Sequence, residues 1–399
     1  MVPSFTPKKG MLGVKFCFIG GAQYKSPLDS TLEKKFRALI QIGEIYVIGF
    51  SPDVRIRHFK QHAEFYLLPR VQFRLFRYLL MFIFGQAIAV WCILRWGVQI
   101  LVAQSPHEGF TAACAKITAR FLGKRVALVV ESHGDFEVSL FLQRRVLYPS
   151  VHRFLIRQSA RFALRHADVL RAISNSTRKQ LEKWTSTKPI FQFATWTNMD
   201  VFLKAGGKRK RNLDEKMIIY AGVLIPRKGV HFLLDAFANI ISEEPGSKLL
   251  IIGRSENREY AEMLKGKAAR LNLGARVIFS DSLPQAVLAD LMAQARVLVL
   301  PSLSEGLGRV IFEAMACGAP VIGSSIGGIM EMIVDGENGF LVPSEDVDSL
   351  TDRLRWVLKN PEKAYEMGKK GRKFAEAFFS TKGYVENYRQ IIDVAGKHL

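Results

Sequence analysis

Short apolar runs of three to six residues recur along the chain with helix-period stretches between them, and the alternation runs twice. In the first round, residues 14–19, 45–48, 100–103, 126–130 and 169–173 read as strands, with helical patterns such as 28–42 and 110–122 between them. In the second, residues 217–221, 249–252, 277–279, 297–300 and 320–323 read as strands, with helices such as 230–242 and 285–294. Strands that are apolar throughout are buried on both faces, and a helical crossover returns the chain parallel to the strand before. The pattern therefore predicts an α/β chain with two doubly wound sheets. A length of 399 residues, more than one ordinary core, agrees with two domains. Between the rounds, 202–216 carries Gly206, Gly207 and the run Lys208-Arg209-Lys210-Arg211, which predicts a flexible basic linker. The expected domains are 1–205 and 206–380, followed by a helical segment at 381–399.

Apolar content of 49% with 23% charged residues excludes a disordered chain. The four cysteines, Cys17, Cys92, Cys114 and Cys317, stand apart in apolar surroundings without ligand spacing, as in a cytoplasmic protein with reduced thiols. His58 and His62 are four apart but lack the glutamate of a zinc helix, so no metal site is expected. Charge is lopsided: residues 1–205 hold 30 Lys and Arg against 12 Asp and Glu, a balance of +18, and the remainder 27 against 24, or +3. With no nucleic-acid module in the sequence, the expected partner of this basic half is an anionic membrane surface.

Two groups would make that contact. Arg70, Arg74 and Arg77 interleave with Phe73, Phe76 and Tyr78, and Arg153, Arg157, Arg161 and Arg165 recur every four residues along one helical face. The uncharged stretch 78–94 is short for a membrane crossing and contains Gly85 and Gln86, so a buried or surface-lying helix is expected there. Lys15 interrupts the apolar run 11–19, which reads as the first strand and not as a signal peptide.

The densest chemistry lies at 301–320, where a buried strand enters a glycine-bearing loop and then a short helix from Arg309. Glu305 stands on the loop and Glu313 in the helix, with seven residues between them; Gly306 and Gly308 allow close backbone approach, and the helix start offers free N–H groups beside Leu307. On an ideal helix that separation is about 12 Å, unlike the roughly 5 to 9.5 Å of a glycosidase pair. A second strand-to-helix turn, 220–229, supplies Arg227 and Lys228. Gly20 and Gly21 follow the first strand, His133 lies in the loop 130–135, and Gly253 closes the strand 249–252.

These motifs together resemble the donor site of the retaining nucleotide-sugar glycosyltransferases of family 4, the glycosyl transferases group 1 type. The resemblance is strongest over 217–343. It implies the GT-B fold, two Rossmann-like domains with a cleft between them, the first on the acceptor side and the second binding the donor, with the last helix crossing back. It further implies that Glu313 accepts hydrogen bonds from the donor ribose and that Glu305 meets hydroxyls of the donor sugar. The amides of Gly306, Leu307 and Gly308 would face sugar and diphosphate, Arg227 and Lys228 would brace the leaving diphosphate, and His133 would approach the sugar. Glu305, His133 and Lys228 are then the catalytic set, with Gly20, Gly21 and Gly253 on the donor. Where the family has an arginine after the first glycine of the 220–229 stretch, this chain has Val223, a position whose charge Arg227 would replace; Ser255 stands where a second glycine is usual.

The expected activity is a metal-independent, retaining hexosyltransferase without cofactor, using a UDP- or GDP-sugar. Its acceptor would be a glycan or a lipid-linked glycan of polysaccharide or glycolipid synthesis, met at the cytoplasmic face of the membrane by a peripheral enzyme. The alternatives are a sugar-phosphate-forming synthase or nucleotide-sugar epimerase with a soluble anionic substrate, and a basic membrane-binding scaffold.

Overall fold

The apolar runs pair into two sheets in a computed structural model, which describes residues 13–71, 74–137, 149–210 and 216–399. The side chain of Arg74 and the whole of Arg211 lie outside the described residues. The first sheet contains β1 (Lys15–Gln23), β2 (Glu44–Phe50), β3 (Arg57–Gln61), β4 (Ala63–Leu68), β5 (Ile100–Ala103), β6 (Ala127–Ser132), β7 (Val169–Ala172) and β8 (Ile190–Gln192), in the order β3-β4-β2-β1-β5-β6-β7-β8. All pairs are parallel except β3 with β4, an edge hairpin turned at His62. That hairpin escaped the sequence reading because β3 is only half-buried and has no apolar run.

The second sheet contains β9 (Met217–Ala221), β10 (Lys248–Ile252), β11 (Val277–Ser280), β12 (Val297–Leu300), β13 (Val321–Ser324) and β14 (Phe340–Val342). It is wholly parallel, in the order β11-β10-β9-β12-β13-β14. The order reverses between β9 and β12, and in the first sheet between β1 and β5. At such a reversal the connections leave toward opposite faces, and a crevice opens beyond the carboxyl ends of the strands.

The basic stretch expected as a linker is structured through Lys210. Phe202 and Ala205, three apart, are buried in the second core, and they set a helix, Asp200–Gly207, that contains both glycines. Arg209 then donates to the carbonyls of Ala293 (2.7 Å) and Ala295 (2.9 Å). The chain changes cores just before this, with Trp196 in the first and Met199 in the second.

The chain also returns. The helix Pro361–Phe378 buries Ala364, Met367 and Ala375 in the second core, whereas Thr381–Gly396 buries Tyr384, Val385, Tyr388, Ile391 and Ile392 among Phe16, Phe18 and Phe36 of the first. Its tether is polar: Tyr388 donates its O–H to Glu131 at the end of β6 and accepts from Arg171 on β7 at 2.8 Å. Arg171 is fully buried, 2.8 Å from Glu131, with a further bond to the carbonyl of Ala194 at 3.0 Å and its guanidinium over the Phe193 ring. Burial alone would push the Glu131 carboxyl up; Arg171, His133 and Tyr388 outweigh it and hold the group well below the usual carboxylate range.

The apolar stretch forms one continuous helical rod, Arg74–Leu80, a π-helical turn Met81–Gly85, and Gln86–Trp96. Residues Phe76–Trp96 are long and apolar enough to cross a membrane, with mean hydropathy 1.8. Yet Met81, Ala89, Cys92 and Ile93 are buried against the first sheet, so one face is packed while Phe76, Phe82, Ile83, Phe84 and Trp91 are exposed. Arg77 does not share a face with exposed Arg70, because its guanidinium turns inward over the Phe50 ring at 5.4 Å.

Removing the arginine of the buried pair leaves a carboxylate without its main cation. Arg171→Met should lower unfolding free energy by about 3 to 5 kcal/mol, and Tyr388→Phe by about 1 kcal/mol. Urea unfolding measures both, and equal stability of the wild type and Arg171→Met would show that the pair does not tie the helix down.

Candidate functional site

Between the sheets lies a cleft of about 950 Å³. Its second-domain wall is built by the two connections that diverge at the β9/β12 reversal. After β9 a tight turn, Pro226–Lys228, precedes the helix Val230–Ile240; after β12 a loop precedes the helix Arg309–Ala316. The two connections are stitched together: Leu303 N–H donates to the Arg227 carbonyl at 2.8 Å, and Arg227 Nη1 to the Ser304 carbonyl at 2.5 Å. Lys228 Nζ hydrogen-bonds Glu305 Oε1, Ser302 Oγ donates to the same oxygen at 3.0 Å, and Arg227 Nη1 stands 3.9 Å from Glu305 Oε2. Arg227 and Lys228 thus bracket one carboxylate, and Arg227 Nε is buried without a hydrogen-bond partner.

Glu313 lies one turn into the helix Arg309–Ala316 and lines the same cleft. Its carboxylate has no hydrogen bond or ion pair among the described residues. Burial pushes its pKa up, with Arg309 opposing. The helix is capped by Gly308, whose φ of 79° lies in the left-handed region that glycine tolerates best. Gly306 has a different reason to be glycine: a Cβ there would stand 2.4 Å from the carbonyl oxygen of His133, on the opposite wall.

His133 follows β6 and lines the cleft, with Nε2 2.7 Å from Glu131 Oε2. Its imidazole is therefore tied to the Glu131–Arg171–Tyr388 cluster. The cleft brings together His133, Arg227, Lys228, Gly253, Glu305, Gly306, Leu307, Gly308 and Glu313. Gly20 and Gly21 are not among its lining residues. Strand β1 runs on through them to Gln23, and the Gly21 N–H donates to Glu108 Oε1 at 2.6 Å, so that amide is already occupied.

Sequence reasoning passed over Thr31, Lys35, Trp196, Arg254, Arg309 and Tyr384, which also line the cleft. Arg309 was legible as the first residue of a helix already singled out. Lys35 is one of two adjacent lysines on a surface helix, and Tyr384 lies far along the chain, so nothing local marked either. The arginines at 153, 157, 161 and 165 are all exposed on the helix Pro149–His166, away from the cleft. Arg157 also lies 3.3 Å from Glu137, and Arg157 and Arg161 both stack over Trp184.

Residues 204–374 match the family model described as Glycosyl transferases group 1. N-acetyl-alpha-D-glucosaminyl L-malate synthase of Bacillus anthracis is 28% identical over 72% of this chain and 71% of its own length. Among solved structures, sucrose-phosphate synthase from Thermosynechococcus elongatus aligns with a TM-score of 0.74 at 22% identity, covering 95% of this chain and 99% of the other. Anabaena HepE in complex with UDP-glucose aligns at 0.72 and 20% identity, covering 96% and 100%.

Burial raises the pKa of Glu313 in the folded protein above its ordinary value. The folded state holds its proton more tightly than the unfolded state, so this group favours folding below the ordinary value of 4.5 and that contribution is lost as pH rises through the raised value. At pH 7 the ionised carboxylate is a burden on stability. Glu313→Gln should therefore melt above the wild type at pH 7, with the gap narrowing as pH falls toward 4.5. A lower melting temperature for the variant at pH 7 would mean that the carboxylate has a stabilising partner.

Proposed function

We propose that this chain, whose residues 204–374 match the Glycosyl transferases group 1 model and whose fold is GT-B, moves a hexose from a nucleotide-diphosphate sugar to an acceptor with retention of configuration. The observation that carries this is the cluster of Arg227, Lys228 and Glu305 at the strand-order reversal, with the Glu313 carboxylate, unpartnered among the described residues, a short way along the same wall. Negative charge builds on the departing diphosphate as the glycosidic bond breaks. Two fixed cations and the N–H groups that open the helix Arg309–Ala316 meet that charge, so the scheme calls for no metal.

In this reading Glu305 is the resident counter-ion of the clamp. On donor entry Lys228 is shared between its carboxylate and the diphosphate, while the other carboxylate oxygen turns to the sugar hydroxyls. Glu313 accepts the ribose hydroxyls, and a UDP or GDP base lies toward Gly253 and Arg254. His133, oriented by Glu131, faces the sugar from the first domain. The acceptor attacks from the face the diphosphate leaves, and the phosphate oxygen helps to take its proton.

The acceptor is proposed to be a glycan or lipid-linked glycan, met at the cytoplasmic face of a membrane. The support is an apolar helix exposed along Phe76, Phe82, Ile83, Phe84 and Trp91, together with the exposed arginines of Pro149–His166. A soluble anionic acceptor is the second reading, favoured by a relative whose name specifies L-malate.

Lys228→Ala should lower turnover about 100-fold or more while donor affinity changes less, since the bond it loses strengthens in the transition state. Release of nucleoside diphosphate, followed with chelator present, measures this, and full activity of both Lys228→Ala and Arg227→Ala would sink the electrostatic scheme. For the membrane, the protein should pellet with anionic vesicles at low salt and detach as the Debye length falls below about 8 Å. Failure to pellet at low ionic strength would leave the soluble acceptor.

A further inference from the structure

Two cations in the cleft have no task in the donor scheme. Lys35, on the helix Ser30–Leu39, reaches the cleft with its ammonium 5.2 Å and 5.5 Å from the ring centres of Phe18 and Phe36. It makes no ion pair among the described residues. The carboxylate that acts on it, Glu131, is already committed to Arg171, His133 and Tyr388. Burial therefore pushes the Lys35 pKa down to about 8, with Glu131 opposing and Arg171 and Arg309 adding to the fall. An ammonium in this state is a cation short of a counter-ion.

Arg309 stands on the opposite wall. It is exposed, it lines the same cleft, and it likewise has no ion pair among the described residues. Arg227 and Lys228 differ in this respect, because Glu305 supplies their anion. One domain thus offers Lys35 and the other Arg309 to a shared space, with Trp196 and Tyr384 as apolar surface beside them.

We propose that Lys35 and Arg309 form an acceptor subsite for an anionic group, a carboxylate or a phosphate, separate from the clamp that holds the donor diphosphate. This rests on the reading that the cleft takes a nucleotide sugar and an acceptor. An anion seated there supplies the missing counter-ion to both walls at once, so it selects charged acceptors and favours closure of the cleft over them. A neutral acceptor leaves Lys35 desolvated and unpaired.

Calorimetric titration with glycerol 3-phosphate, malate and neutral glycerol, with and without saturating UDP or GDP, tests this. The wild type should bind at least one of the two anions and bind glycerol far more weakly; preference for one anion separates phosphate from carboxylate. Lys35→Met removes the charge but keeps an unbranched side chain of similar length, and Arg309→Ala alters an exposed side chain. Each should weaken anion binding about tenfold or more; Lys35→Met should shift the nucleotide dissociation constant by less than about twofold, whereas Arg309→Ala also removes the cation that acts on Glu313 and is read on the anion alone. Three results would overturn the subsite: no anion binding by the wild type, unchanged affinity in both variants, or an equal loss for nucleotide, which would place Lys35 in the clamp. If no nucleotide binds, the donor reading fails separately, and the anion titration without nucleotide still decides the subsite.

Discussion

A guanidinium with no access to water needs a partner, and the position of Arg171 makes that requirement organise the molecule. It lies on β7 inside the first domain, and its charge is met by Glu131 on the neighbouring strand and by the hydroxyl of Tyr388, more than two hundred residues later. The C-terminal helix is thereby held on the first domain although the helix before it packs with the second. The same Glu131 carboxylate, through its other oxygen, touches His133 at the cleft. One buried charge pair therefore links the chain's return path to a group that faces the proposed sugar site.

The donor-side wall solves a similar problem by a different route. Cations held close together repel one another, and without an anion Arg227 and Lys228 would splay into solvent. Glu305 holds them in place, with Ser302 fixing the carboxylate from below. In the proposed reaction the clamp is thus preformed before the diphosphate arrives, which is the condition for electrostatic help to be strongest when charge develops. Glu313 has no such partner among the described residues, and burial pushes its pKa up.

What could be read in the sequence was what has a local signature. Ten of the parallel strands showed as unbroken apolar runs, while the three-residue edge strands β8 and β14 did not, and the wall of the cleft showed because Glu305, Gly308 and Glu313 sit in one short stretch, with Arg227 and Lys228 in a similar turn. The repeated alternation suggested two doubly wound domains, and the GT-B architecture came with the family resemblance that the motifs carry. The hairpin of β3 and β4 stayed hidden, since a half-exposed edge strand lacks the apolar run. The basic stretch around Gly206 misled because composition suggested a linker, while Phe202 and Ala205 anchor it to the second core. Gly20 and Gly21 suggested a donor contact, but a carboxylate contributed by the chain 87 residues away occupies the Gly21 amide. Lys35, Trp196 and Tyr384 reach the cleft only through packing between distant segments, which no local pattern encodes.

The approach of Gly306 to the His133 carbonyl sets a mechanical stop. Main chain meets main chain there, so neither wall can advance by repacking a side chain, and the gap beside Glu305 has a floor that a bound ligand cannot compress. Variation in the size of a ligand would then be absorbed away from this approach, where side chains such as Arg254 and Lys35 line the cleft. At its centre the spacing of the two walls is thus set by backbone, and side-chain rotamers have no say in it.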